Sequence, residues 1–249
     1  MKKNLLVGIT TFVIISGVGI KPSSAGMDWL KKQIGSTLNA ETKNLSTTKF
    51  SETKIASGLK EALKVGVDKA IELAGKMDGF NKNPDIKINM PEKLSLADKA
   101  LRAAGFGPKL DEFVLSMNRA AEKAAPLAKE TFVNSIMDMN IEDAQKILKG
   151  GGTSATEYFK GKTRQKLTEL VQPVISQKLS ELDVVHKYND IIGQYKSLPF
   201  SSKFPAPDIN DYVVNKALDG IFHLIGQQEA LIRQDPTARV TGLLKEVFQ

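Results

Sequence analysis

Apolar residues recur every three to four positions along most of this chain, a spacing that predicts helices almost from end to end. Ile55, Leu59, Leu63, Val67, Ile71 and Leu73 form the stripe of a long amphipathic helix over residues 51–76. Pro84 and Pro91 mark an asparagine-rich loop, within which IKI (86–88) reads as a short extended piece. Pro91 and Glu92 open the next helix, which runs to about Ala104 and stops at the sequence GFGP. The pattern repeats from Lys109 to Met139, where Pro126 either divides it into two helices or kinks one. Asn140 then caps a short helix that ends at Gly150.

A further helix follows the glycines toward Leu182, with a kink expected at Pro173, and another spans Asp183 to about Tyr195. LPFSSKFPAPD (198–208) is a proline-rich connection. Asp208 caps a helix in which Tyr212, Val213, Val214, Ala217, Leu218, Ile221, Phe222, Leu224 and Ile225 cover most of the circumference, so that helix should be central. Asp235 and Pro236 start a terminal helix whose Val240, Leu243, Leu244 and Val247 face inward. Neither a heptad run nor an internal repeat points to a coiled coil or a solenoid. The expectation is an all-α, single compact domain of about eight to ten helices over residues 51–249.

The first 25 residues break this pattern: two lysines, an apolar run from Leu5 to Ile20, and small residues at Ser23 and Ala25 read as a signal peptide cleaved before Gly26. An uncleaved anchor is the alternative, and the shortness of the apolar run speaks against it. Residues 26–50 read as an amphipathic helix, with Trp29, Leu30, Ile34 and Leu38 on one face, followed by a polar linker. Trp29, Leu30 and Ile34 would carry any peripheral membrane contact; docking on the domain's own core is the preferred reading.

The chain contains no cysteine, so an exported fold must rest on packing rather than disulfides. The formal charge of +7 includes Lys2, Lys3 and Lys21 of the signal, so seven less three leaves +4 on the mature chain. Lysines and acids are interspersed, which argues against nucleic acid as a partner, since that needs a concentrated basic face.

Several stretches carry candidate chemistry. The three glycines Gly150, Gly151 and Gly152 precede a helix and a run of Lys and Arg, an arrangement that can hold phosphate on free backbone N–H groups. Gly150 suits a left-handed helix stop, however, and Ser154 to Glu157 matches a capping box that would consume those donors. Ser46–Lys49, Ser51–Lys54 and Ser57–Lys60 each match Ser-x-x-Lys, but the companion elements of penicillin-recognising enzymes are absent. In residues 81–92, Asn81, Asn83, Asp85, Asn89 and Glu92 occupy the ligand positions of a calcium loop, while Ile86 stands where glycine is needed, so no metal site is assigned.

His186 and His223 are the only histidines, too few for zinc chemistry. Asp219 lies four residues before His223 and could orient its imidazole, although a satisfied buried pair is the preferred reading. Asn118, Arg119 and Glu122 form a polar strip, read as core-edge ion pairing with ligand contact as the minority reading. Arg233 follows Glu229 by four and reads as a surface ion pair.

The runs DEFVLSMNRAAEKAAPLAKETF (111–132), IEDAQKILKGGGTSATEYFKGKT (141–163) and YVVNKALDGIFHLIGQQEALIRQDPTARVTGLLKEVF (212–248) resemble a family of exported bacterial proteins, domain of unknown function four-one-nine-seven. SGLKEALKVGVDKAI (57–71) and NPDIKINMPEKL (83–94) extend the similarity over nearly the whole mature chain. The resemblance implies one helical unit and offers no catalytic residue or cofactor to transfer. The family's turn at residues 150–152 tends to be less glycine-rich.

Together these readings lead to a non-enzymatic, exported binding or interaction protein of the periplasm or cell envelope, with no cofactor and an unidentified protein or apolar ligand as partner. The alternatives are a carrier of an apolar or lipid-like ligand, with Arg119, Glu122, Asp219 and Arg233 as polar anchors, and an enzyme of unrecognised type built on Asp219, His223 and Arg119.

Overall fold

A computed structural model describes residues 53–197 and 207–234. The expectations for the signal peptide, the Trp29 helix and the terminal helix from Asp235 fall outside the described residues. Among those residues are eight α-helices and no β-strand: α1 over 53–75, α2 Ser95–Ala103, α3 Gly107–Ala124, α4 Ala128–Met137, α5 Ile141–Lys149, α6 Ser154–Glu181, α7 Val184–Ser197 and α8 Ile209–Gln234. All of them belong to one compact unit. None is long and apolar enough to cross a membrane.

The local chemistry explains most of the boundaries. At the end of α2, Gly105 adopts φ +89°, the Phe106 N–H bonds the Leu101 carbonyl and the Gly105 N–H bonds the Arg102 carbonyl. This pair of bonds satisfies the last carbonyls of the helix and needs a residue that tolerates the left-handed region. Pro126 does divide the long amphipathic stretch, sitting in a 3-10 turn, Ala125–Leu127, between α3 and α4. Asn140 caps α5, accepting from the Asp143 N–H at 2.7 Å while Asp143 reaches back to the Asn140 N–H. Asp208 caps α8 by accepting from the N–H groups of Asn210 and Asp211.

Three expectations need correction. Residues 86–88, read as a short extended piece, begin in a turn at Ile86, and the Ile88 backbone is paired with a side chain of α3 rather than with another strand. Gly150 is not left-handed, having φ −80° and ψ 179°, and lies against Ser154. Pro91 and Glu92 open a 3-10 turn, Glu92–Leu94, before α2 begins at Ser95. As for α6, the helix continues through Pro173, which lies on an exposed face where the missing N–H is cheapest to lose.

The core forms around α6 and α8, with α3 and α4 packed on α6. As the apolar circumference implied, α8 is buried at Val213, Val214, Ala217, Leu218, Ile221, Phe222, Leu224 and Ile225. Phe132 meets Phe159 and Phe222 edge to face, at 6.0 and 5.6 Å between ring centroids, and Phe113 stacks on Tyr188 at 5.8 Å. Burying each such ring contributes about 1.5–3 kcal/mol, so the apolar stripes supply the driving force and polar contacts only choose among packings. Gly220 lets the loop after α1 approach α8, because a Cβ there would lie 2.6 Å from the Phe80 ring.

Candidate functional site

The polar side chains singled out in the sequence fall into two buried clamps and one exposed stripe. The first clamp is on α3. Glu122 is 4% exposed and its Oε1 accepts from the N–H groups of Phe80 and Asn81, both at 3.1 Å. Arg119 donates to Glu122 Oε2 at 2.7 Å and to Asp78 Oδ1 at 2.7 Å. Asp78 sits left-handed at φ 63° where the chain leaves α1. Bonds from Lys82, Asn81 and Arg119 hold its carboxyl well below the usual carboxylate range. Asn118, fully buried, accepts from the Ile88 N–H at 2.9 Å and donates to the Ile88 carbonyl at 2.8 Å, replacing a strand partner.

The second clamp answers the question raised by the glycine turn. An anion does sit at the N-terminus of α6, and it is the protein's own Glu229 carboxylate. Its Oε1 accepts from the Ala155 N–H, while Oε2 accepts from the Thr156 N–H and hydroxyl, each at 2.9 Å. The free donors and dipole of a helix start favour a negative charge there. The expected Ser154 capping box is therefore not the cap; the Ser154 hydroxyl donates to the Gly151 carbonyl at 2.9 Å instead. Arg233 bonds Glu229 Oε1 through Nε and Nη2, at 3.1 and 2.9 Å, and its Nη2 reaches the Ile147 carbonyl at 2.8 Å. Reading this pair as a surface contact was wrong, since Glu229 is 4% exposed and the Arg233 side chain 17%.

Asp219 and His223 lie on the exposed stripe of α8, not in a buried pair. Arg164 of α6 takes Asp219 at 2.7 Å and also bonds Asn215. His223 Nε2 lies 3.0 Å from Gln227 Nε2 and 4.0 Å from Asp85 Oδ2. Arg119 is committed to the first clamp, Asp219 to Arg164 and His223 to Gln227, so the three do not come together as a site.

The other stretches resolve in the same manner. In the asparagine-rich loop, Asn81 bonds Asp78, Asn83 accepts from the Asp85 N–H, Asp85 bonds Gln227 and Asn89 bonds the Lys87 carbonyl. Ile86 and Ile88 of that loop are buried in the core. Among the described residues, no three His, Cys, Asp or Glu gather as a metal-holding group. Ser57 donates to the Thr53 carbonyl and Lys60 to the Met137 carbonyl, both at helix surfaces. A cleft of about 170 Å³ between α2, α3 and α7 is floored by Leu101, Phe106 and Ile191, less than the roughly 300–1,000 Å³ of ordinary ligand pockets.

Sequence reasoning missed Asp78 and Thr156, whose roles depend on contacts 41 and 73 residues away. One signal was present: Glu229 stands four after Ile225 and three before Ile232, in phase with the buried stripe of α8. A carboxylate in that position must find donors inside the fold.

No curated protein and no solved structure matches the chain. A family model does match, over residues 49–249, a span that takes in every described residue, and the chain thus belongs to the family of proteins of unknown function DUF4197.

Proposed function

We propose that this protein is a non-catalytic interaction module of the cell envelope, exported by its N-terminal segment and acting through the surface of its helical body. One observation carries the reading. The charged groups best placed for chemistry (Glu122, Arg119, Glu229, Arg233 and Asp219) each bond to other parts of the protein, which fits structural work better than turnover. What remains for function is surface: open grooves between helix ends, and scattered exposed apolar residues such as Met77, Leu96 and Met137. Export rests on the lysines and the apolar run before Ser23 and Ala25.

Affinity capture of the protein from the envelope of its source cell, with proteins and lipids both identified, tests the proposal. A partner enriched in near-equal amount, and bound again by purified components, is the expected result. Failure to enrich any molecule, or turnover of a metabolite abolished by a point substitution, overturns it.

A further inference from the structure

The end of α8 runs along α1 in the opposite sense. A Cβ on Gly66 would touch Gln228 and Ile232 at 3.4 Å, Ile232 packs on Ala62, and Arg233 bonds the Ile147 carbonyl of α5 at 2.8 Å. The last turn of α8 therefore lies in a valley with α1 on one side and α5 on the other. Both walls continue past it. Ala56 stands six residues before Ala62 and Ile141 six before Ile147, in each case about 9 Å further along the helix at 1.5 Å per residue. There the valley opens into a groove of about 530 Å³ with a mostly apolar surface, formed by Ala56 from α1 and by Met139 and Ile141 at the start of α5. Ile141 is 41% exposed, and Met137, whose carbonyl accepts from Lys60 beside the groove, 65%.

Three observations select the occupant. The chain leaves α8 at Gln234, and Leu59, midway between Ala62 and Ala56, already shares a gap with Ile232 and Arg233, so residues 235–249 start at the mouth of the groove. Their sequence carries a matching stripe: Val240, Leu243, Leu244 and Val247 recur at helical spacing, and Asp235 and Pro236 start that helix at once, with no linker to carry it elsewhere. At 1.5 Å per residue Val240 falls about 12 Å beyond Ile232, far enough to reach Ala56. The family match, finally, begins at residue 49 and runs to 249, so this segment belongs to the family's unit and the amphipathic stretch at Trp29 does not.

We infer that the groove is the seat of the chain's own C-terminal segment, which docks as an amphipathic helix with Val240, Leu243, Leu244 and Val247 against Ala56, Met139 and Ile141. Tethering supplies an effective concentration in the millimolar range, so a few apolar contacts suffice to hold it. The inference stands apart from the interaction-module reading: it holds with or without an external partner, and a partner that takes this groove must displace the segment.

Hydrogen exchange of the purified full chain, followed by mass spectrometry, is the test. Amides of residues 240–247 should exchange at least about tenfold more slowly than in the free synthetic segment 235–249. Ile141→Asp puts a charge in the groove while suiting the first turn of α5, where an acid is favourable, and should abolish that protection without changing exchange in α5, α6 or α8. Ile141→Val should preserve it. Replacing Leu243 and Leu244 together by Asp should likewise abolish it and speed exchange at the start of α1. Protection should be unchanged on roughly hundredfold dilution, because a tethered contact does not depend on concentration. Exchange as fast as in the free segment, or protection that survives Ile141→Asp, overturns the inference; protection lost on dilution overturns it in favour of a second copy as the source of the docked segment.

Discussion

The Glu122 and Glu229 clamps are built from the same parts: a buried glutamate on one helix, an arginine one turn away, and two backbone N–H groups from a distant segment. They differ in what they hold. Glu122 pins a loop, and its Arg119 has a second carboxylate, Asp78, within reach. Glu229 pins the start of α6 and takes a third donor, the Thr156 hydroxyl, while Arg233 ties the pair to the end of α5. The comparison teaches that a buried carboxylate can act as the cap of someone else's backbone, with the arginine present to balance its charge. The donor count then decides which clamp is costlier to break.

Glu229→Ala should have the largest effect, about 3–5 kcal/mol in urea unfolding, because it strips three donors, the Ala155 N–H and the Thr156 N–H and hydroxyl, of the buried acceptor they share. Replacing Glu229 and Arg233 together by Leu and Met should not restore stability. Apolar replacement of a buried pair is often neutral, but here the Ala155 and Thr156 N–H groups would still lack an acceptor; full recovery in the double variant would show that the backbone bonds contribute little.

Glu122→Ala should cost less, about 2–4 kcal/mol, since two N–H groups rather than three donors lose their acceptor. A larger loss than for Glu229→Ala would break the donor-count argument. Asn118→Ala should cost about 1–3 kcal/mol and raise hydrogen exchange at Ile88, whose N–H loses its acceptor. Unchanged exchange there would mean the loop is held by Ile86 and Ile88 burial alone.

The smallest effect concerns acid. The Asp78 carboxyl is depressed in the fold, so its contribution is complete above the ordinary aspartate value of about 3.9 and is lost as pH falls below that toward the lower folded value. Asp78→Asn should therefore flatten the acid limb of a stability-versus-pH curve and leave its neutral part little changed in slope. An acid limb as steep as before would show that Asp78 does not titrate with folding.

Much of the fold was legible in the residues. The stripes of α1 and α8, the division at Pro126, the caps Asn140 and Asp208 and the stop at Gly105 are all local chemistry, set within about one turn of chain. The clamps were half legible. Arg119 with Glu122 and Glu229 with Arg233 stand at helical spacing and were recognised as pairs, but nothing local revealed their depth. The capping box at Ser154 shows why: a local cap was available, and a carboxylate 73 residues away won because it brings full charge to two N–H groups at once.

The sequence alone determined the helical class, most helix ends and the identity of the central helix, because those follow from periodicity and from bonds between near neighbours. Only the tertiary structure decided which anion occupies the start of α6, which loop Glu122 and Asn118 hold, and that Asp219 turns to Arg164 rather than to His223. Each of those choices depends on how the helices pack, and a carboxylate takes whichever donors that packing brings within about 3 Å.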